Sequence, residues 1–266
     1  MSNSATARTS TTASSTVSAS SVSASSGNRP HPPTYTDFGG YKAQHTGRDN
    51  VPNAVHVGAG SGRQPDSQPP DAVEVVACGA LAGHIREIAT RRGWPIIVRP
   101  LSAALHNRPE NIKSHSERML ATPQAPHSRK ILAYADCGTY GALDDLAEAT
   151  GATRLPGLHC FDLYAGEAQI EQLFAEEPGT YLLTDYLIRS FDKAVIQPLG
   201  LDRYPQLWTD YFGHYTRLVW LAQRATSELE EAATRIASQF NLPLIRIDTG
   251  TTGLEAALES VIEPPS

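Results

Sequence analysis

The sequence predicts an α/β fold in which a mostly parallel sheet carries helices on both faces, in Rossmann-like layers. Short aliphatic runs alternate with helical segments from residue 73 to residue 262. That length of chain suffices for one sizeable core or two small lobes. Residues 1–70 are rich in Ser, Thr, Gly, Pro and Asn and have almost no consecutive aliphatic residues. We therefore expect a disordered tail at 1–70 and a single α/β domain over 71–266.

The elements follow from local patterns in chain order. The strands are predicted at VEVVA, PIIVRPL, KILAYA, TYLLT, LVWLAQ and LPLIRID. The helices are predicted at GALAGHIREIATRRGW, PENIKSHSERML, YGALDDLAEATG, AGEAQIEQLFAEE, DYLIRSFDKAVI, PQLWTDYFGHYTR, SELEEAATRIASQF and TGLEAALESVI. In the first helix Leu81, Ile85 and Ile88 have helical spacing; Pro109 can open the second helix and Gly151 can close the third.

Composition and charge narrow the class of protein. The 266 residues are 40% hydrophobic with a formal net charge of −6, a balance typical of a globular protein and opposite to that of a basic nucleic-acid binder. No run reaches the roughly 18 apolar residues of a membrane span, and the N-terminus lacks the features of a secretory signal. Three cysteines, an odd number spread far apart, do not resemble a disulfide framework, so we expect a cytoplasmic protein.

The three cysteines occupy similar places in the predicted fold. Cys78, Cys137 and Cys160 each lie at the end of a strand or loop, directly before a helix, with a glycine close by. Backbone N–H groups and the helix dipole favour a thiolate in such a position, and ligands collect beyond the carboxyl ends of parallel strands. The simpler interpretation of any one of them alone is a small buried core residue.

Three thiolates from separate segments predict one metal centre. There are no CxxC pairs, which excludes a zinc knuckle. One candidate is a 4Fe–4S cluster held by Cys78, Cys137 and Cys160, with one iron open to substrate. The other is a zinc ion held by these thiols, or by thiols together with His106 or His159, with an open position. A third interpretation keeps one cysteine as a nucleophile and assigns the others to packing.

Polar neighbours of the cysteines supply further candidate site residues. His106 and His159 are expected to be fourth ligands or acid–base groups, and Asp136 is expected to support the ligand beside it. Arg108, in LHNRPENI, offers a bidentate fork for an anionic substrate group, although this stretch is also readable as a polar loop. His84 is expected to face solvent.

Several blocks of the sequence resemble a known family. CGAL, LHNRP, YADCGTYGALDDL, PGLHCFDLYAG, YLLTDYLIRSFD, LGLD and YFGHY are similar, in this order, to an uncharacterised prokaryotic family catalogued as domain of unknown function 1638. The resemblance runs from about residue 73 to 255, and the DCG and HC blocks are its most specific parts. It implies membership of a family and no particular reaction.

The expected function is that of a metal-dependent lyase or transferase. Its substrate is expected to be a small anionic or thiol-bearing molecule rather than a nucleic acid or a membrane. Two alternatives remain open at this point. One is a metal-free enzyme in which Cys137 or Cys160 is the nucleophile, and the other is a non-catalytic accessory protein that binds a metal or cofactor for a partner protein.

Overall fold

The computed structural model describes residues 72–124 and 128–263. The tail predicted at residues 1–70 lies outside the described residues. The strands are β1 Val73–Cys78, β2 Ile96–Leu101, β3 Arg129–Ala133, β4 Thr153–Arg154, β5 Thr180–Thr184, β6 Arg217–Ala222 and β7 Leu244–Asp248. The α-helices are α1 Gly79–Arg92, α2 Ile112–Ala121, α3 Ala142–Thr150, α4 Cys160–Ala165, α5 Glu167–Glu176, α6 Asp185–Phe191, α7 Trp208–Phe212, α8 Ser227–Phe240 and α9 Thr252–Ile262.

The described strands form two parallel sheets. The first sheet has the order β2-β1-β3-β4, and the second sheet has the order β5-β6-β7. Every strand pair in both sheets is parallel. The predicted α/β class with parallel strands and flanking helices is confirmed, and the strands are divided between two sheets.

The first sheet is covered by helices on both faces. All six residues of β1 are buried, which is typical of a central parallel strand between two helical layers. Its core combines residues of α1, α2, α3 and α4 with Leu254, Leu258 and Ile262 of α9. The last helix, which follows a strand of the second sheet, therefore completes the core of the first.

In the second sheet, successive side chains of β6 point to opposite faces. Leu218 and Trp220 face a core built with α6 and α8, whereas Val219 and Leu221 face Ile170 and its neighbours on α5. Each face of the sheet is thus buried by its own helices. Within the described parts of the chain, no helix combines the length and apolar character needed to cross a bilayer.

Three predicted elements differ from the structure in detail. The helix expected to begin at Pro109 starts with a 3-10 turn and becomes α-helical at Ile112. The helix predicted after GLHCFD is divided into α4 and α5 at Gly166, whose φ of 83° leaves the helical region. The helix predicted at DYLIRSFDKAVI ends as an α-helix at Phe191 and continues as a π-helical turn, Asp192–Ile196.

A buried ion pair joins the first sheet to the end of α2. The Arg99 guanidinium donates to the Glu74 carboxylate, and it also donates to the Met119 carbonyl at 2.7 Å. The second carboxylate oxygen of Glu74 accepts from the N–H of Gln124 at 2.8 Å. These bonds satisfy charges that would otherwise be costly to bury.

Candidate functional site

The three cysteines meet at the carboxyl edge of the first sheet. Cys78 ends β1 and is buried, Cys160 opens α4, and Cys137 lies in the loop after β3. Cys137 and Cys160 pack against the same core cluster that contains Cys78. Three separate chain segments therefore bring their thiols to one core cluster. We refer to Cys78, Cys137 and Cys160 as the thiol cluster.

Backbone N–H groups face each sulfur atom. Those of Ala80 and Leu81 face Cys78, and that of Cys160 faces Cys137. Burial nevertheless raises the pKa of Cys78 to about 11 and that of Cys160 to about 12. Burial, followed by the proximity of Cys160 and Cys78, raises the pKa of Cys137 well above its ordinary value. Without a neutralising cation, the thiol cluster is protonated at neutral pH.

The Cys137 loop has an unusual backbone. Cys137 and Tyr140 have φ values of 52° and 53°, and Gly138 and Gly141 are also left-handed. The Asp136 carboxylate holds this conformation by accepting from the N–H groups of Gly138 at 3.1 Å, Tyr140 at 3.0 Å and Gly141 at 2.7 Å. A non-glycine residue pays a steric cost in this region, so these bonds fix the position of the Cys137 thiol.

The pKa of Asp136 follows from the same contacts. Burial acts to raise it, but the hydrogen bonds from Gly141, Tyr140, Gly138 and Thr139 outweigh burial and lower it. The Asp136 carboxylate is thus hydrogen-bonded to groups of its own loop. Asp136 lies next to Cys137, and its expected support of a ligand there stays a prediction.

A second carboxylate organises the loop before Cys160. Asp162 accepts from the N–H groups of Leu158 at 2.8 Å and His159 at 2.9 Å, in the N-terminal turn of α4. Asp162 is not among the site residues predicted from the sequence. An acidic residue three positions after the residue that precedes the helix was the available signal.

His106 lies beside the thiol cluster, and one of its ring nitrogens is hydrogen-bonded to the main chain. Its Nδ1–H donates to the Ala103 carbonyl at 3.0 Å, and its ring stacks on Tyr134 with centroids 6.1 Å apart. Burial lowers the pKa of His106, a hydrogen bond to Ala103 opposes that shift, and the nearby His159 adds to it. Both predicted histidines therefore lie at the same site.

Arg108 occupies a more open position than the other predicted residues. It joins the two 3-10 turns Ala103–Asn107 and Pro109–Asn111, and it is exposed. Among the described residues its guanidinium makes no hydrogen bond or ion pair. No contact joins this side chain to the thiol cluster, and its expected binding of an anion stays a prediction.

Tyrosines that the sequence analysis did not assign also surround the thiol cluster. Tyr134 follows β3 and is fully buried, and burial together with nearby Cys78 and Cys137 raises its pKa. Burial, then Cys160 and Cys78, raises the pKa of Tyr164 on α4. These contacts arise between distant segments, so no local pattern could have identified them.

The carboxyl edge of the second sheet lies opposite the thiol cluster. Tyr186, in the first turn of α6, has its pKa raised by burial and then by Cys78. His84 on α1 contacts the Tyr164 hydroxyl through Nδ1 at 2.8 Å, so the expectation that it faces solvent was wrong. Arg224, after β6, pairs with Glu87 of α1 at 2.7 Å. The first turn of α6 therefore lies near Cys78, and the turn after β6 contacts α1.

Asp185 supports this edge of the second sheet. It is fully buried and accepts from the Trp220 indole at 2.8 Å and from the Arg224 N–H at 2.7 Å. The N–H of Gln223 is a third donor, at 3.2 Å. The carboxylate therefore fixes the turn after β6 that carries Arg224.

The donor atoms do not form a ready coordination shell. Within residues 72–124 and 128–263, no group of three or more His, Cys, Asp or Glu side chains stands in an arrangement that could hold a metal ion. Metal binding by the thiol cluster therefore requires the side chains to move toward one another.

Comparison with known proteins gives one match. No curated protein and no solved structure matches the chain. A family model described as "Protein of unknown function (DUF1638)" matches residues 100–258. The match includes Cys137 and Cys160, whereas Cys78 precedes it, so it begins later than the resemblance expected from residue 73. Because the matched segment covers more than half of the sequence, the chain belongs to the DUF1638 family.

Proposed function

We propose that the protein is a metal-dependent enzyme in which Cys78, Cys137 and Cys160 hold an iron–sulfur cluster or a zinc ion. The observation that carries the proposal is that three thiols from three chain segments lie near one another at one core cluster. Among the two metals we favour the cluster, because an all-thiolate ligand set is typical of iron–sulfur centres. Either centre would supply Lewis-acid chemistry at a position not filled by a thiolate.

The surroundings of the thiols support a metal more than a simple core. A plain core would need only small apolar residues, whereas two carboxylates, Asp136 and Asp162, are used here to hold the loops beside Cys137 and Cys160. Backbone N–H groups face the sulfurs, and such donors stabilise thiolate ligands of metals. Three thiolates in close proximity repel each other unless a cation neutralises them.

The remaining site residues have roles that follow from their contacts. Asp136 is a positioning residue, because its carboxylate is taken up by the loop. His106 and His159 are the acid–base groups or additional ligands next to the thiols. Arg108, exposed and without a partner among the described residues, would bind an anionic group of a small substrate. The reaction class that fits is a dehydration or a transfer involving a substrate thiol.

The alternative of a metal-free cysteine nucleophile is less well supported. A nucleophilic cysteine needs an accessible thiolate with a lowered pKa, usually beside a base. Here Cys78 is buried, Cys137 and Cys160 are half-buried, and burial raises the pKa of all three thiols instead of lowering it. A non-catalytic metal carrier would use the same ligands, and only turnover would distinguish it from an enzyme.

The cytoplasm is the proposed location of the protein. All three cysteines are free, and they lie together without a disulfide. Reducing compartments keep thiols in this state and supply iron–sulfur clusters and zinc to thiolate ligands.

Metal analysis of anaerobically purified protein tests the proposal. Iron, acid-labile sulfide and zinc are measured in the wild type and in Cys160→Ser, with circular dichroism to confirm that both are folded. We expect about four irons and four sulfides, or about one zinc, per wild-type chain, which is the usual content of such sites. The variant should lose most of this metal. A folded wild-type protein without these metals, even after anaerobic reconstitution, would contradict the proposal.

A further inference from the structure

Two buried polar atoms next to the thiol cluster lack hydrogen-bond partners among the described residues. They are Nε2 of His106 and the hydroxyl oxygen of Tyr134. The two rings are stacked, 21° from parallel. Buried polar atoms in native proteins nearly always have a partner, because an unsatisfied one carries the full cost of its desolvation. Two such atoms on neighbouring rings therefore indicate a binding place for a polar group.

The chemistry of the two atoms defines what can bind. A carbonyl only accepts, so the contact with Ala103 O fixes the proton of the neutral His106 ring on Nδ1 and leaves Nε2 as an acceptor. The Tyr134 hydroxyl is a donor. The Cys78 thiol lies near the Tyr134 hydroxyl, but a thiol is a weak partner and leaves the hydroxyl able to bind a stronger one. A group that donates to one atom and accepts from the other is complementary to the pair.

We propose that His106 and Tyr134 together bind the hydroxyl oxygen of a small alcohol-bearing substrate, or a water molecule in its place. An O–H group can donate to Nε2 and accept from the Tyr134 hydroxyl. The assignment of this oxygen to a substrate of the metal centre rests on the proposed function. The contact itself depends only on the two side chains, so it can be tested without metal.

The test uses the full chain, prepared without metal and with zinc, with ¹⁵N-labelled histidine. The ring-nitrogen signals of His106 are assigned with His106→Gln and recorded during a titration with methanol, which serves as the smallest alcohol probe. Tyr134→Phe removes the donor hydroxyl and keeps the ring. Tyr211→Phe, in the helix α7 that packs on the second sheet, is the matched control.

We expect the Nε2 signal of the wild type to lie at the upfield position of a hydrogen-bonded acceptor. A saturable response to methanol, weakened about tenfold in Tyr134→Phe and unchanged in Tyr211→Phe, identifies an exchangeable alcohol site. If the Nε2 signal has the position of a hydrogen-bonded acceptor, does not shift with methanol and shifts in Tyr134→Phe, the occupant is water. An Nε2 signal at the position of a free acceptor, or one identical in wild type and Tyr134→Phe, overturns the proposal.

Unfolding free energy gives a second, independent reading. If the Tyr134 hydroxyl binds a partner, Tyr134→Phe lowers the free energy of unfolding; if the hydroxyl is truly unsatisfied, the variant raises it and the proposal fails. Failure of the wild type to bind metal would contradict the proposed function alone, because both measurements are made on the metal-free chain as well.

Discussion

The backbone N–H of Cys137 donates a 2.8 Å hydrogen bond to the carbonyl of Leu158, two residues before Cys160. A second bond, from the Asp136 N–H to the Gly157 carbonyl at 3.1 Å, runs beside it. The two cysteine loops are therefore joined through their main chains. The relative position of the two thiols depends on these loops more than on any contact between the side chains.

Replacement of Asp136 should loosen the Cys137 loop. The two carboxylate oxygens of Asp136 accept from three backbone N–H groups. In Asp136→Asn, the amide has only one acceptor oxygen for these three donors. We expect a free energy of unfolding lower by about 1–3 kcal/mol and a metal affinity lower by about tenfold or more. Urea denaturation and competition with a chelator measure the two effects.

Asp145→Asn is the matched control for this variant. Asp145 is an exposed carboxylate in the first turn of α3, so its replacement makes the same change in net charge. It should alter the unfolding free energy by no more than about 1 kcal/mol and leave metal affinity unchanged. Equal losses of metal affinity in both variants would contradict the role assigned to Asp136.

A methyl group at Gly79 should not be tolerated. A Cβ at this position would lie 2.7 Å from the Leu101 carbonyl oxygen and 3.1 Å from the Ala103 nitrogen. Gly79→Ala should therefore lower the free energy of unfolding by about 1–3 kcal/mol, since main-chain atoms cannot yield easily. Gly83→Ala, on the same helix with nothing within 4 Å, should instead raise it by about 0.5–1 kcal/mol. Thermal or urea unfolding compares the pair, and a neutral Gly79→Ala would exclude the tight approach.

Loss of Arg99 should be the most destabilising of these changes. In Arg99→Met the Glu74 carboxylate loses its guanidinium partner in the interior, which costs about 3–5 kcal/mol. The side chains of Arg99 and Glu74 are 9% and 2% exposed, so solvent cannot replace the lost contact. Arg235→Met removes an exposed pair with Glu231 and should cost at most about 0.5 kcal/mol. Similar unfolding free energies for the two variants would show that the buried pair is not required.

His84 should make the protein less stable in mild acid. Burial lowers its pKa from the ordinary 6.5; Glu87 and Asp185 oppose this shift, Arg224 and Arg189 add to it, and the Tyr164 hydroxyl contacts the ring. Because the folded pKa is depressed, the stability is present above pH 6.5 and is lost as the pH falls through the folded value. His84→Gln should therefore show a shallower loss of unfolding free energy between about pH 7 and pH 5. Equal slopes in wild type and variant would contradict the burial of this ring.

Much of the fold could be predicted from periodicity. The strand Thr180–Thr184 and the helices Ser227–Phe240 and Thr252–Ile262 have the predicted bounds. The two-residue strand Thr153–Arg154 was not predicted, because its pairing with β3 is a long-range contact without a local pattern. The break at Gly166 was also missed, since a glycine inside an amphipathic run does not by itself end a helix.

The three cysteines of the candidate site could be singled out from the sequence, whereas the residues around them could not. Cys78, Cys137 and Cys160 were recognised by their place at the ends of elements, and the parallel topology brings those ends to one edge. The close packing of Gly79 against the Leu101 carbonyl of β2 is a long-range contact that the sequence does not reveal. Tyr134 became visible as a site residue only when the structure placed its hydroxyl in the interior without a partner.

X-ray absorption spectroscopy of the anaerobically purified protein can show whether the thiol cluster holds a metal. We expect a bound metal whose nearest ligand atoms are mainly sulfur at about 2.3 Å, with metal content lost when Cys78, Cys137 or Cys160 is replaced by serine. A metal-free wild-type protein, or a bound metal surrounded only by nitrogen and oxygen, would contradict this expectation.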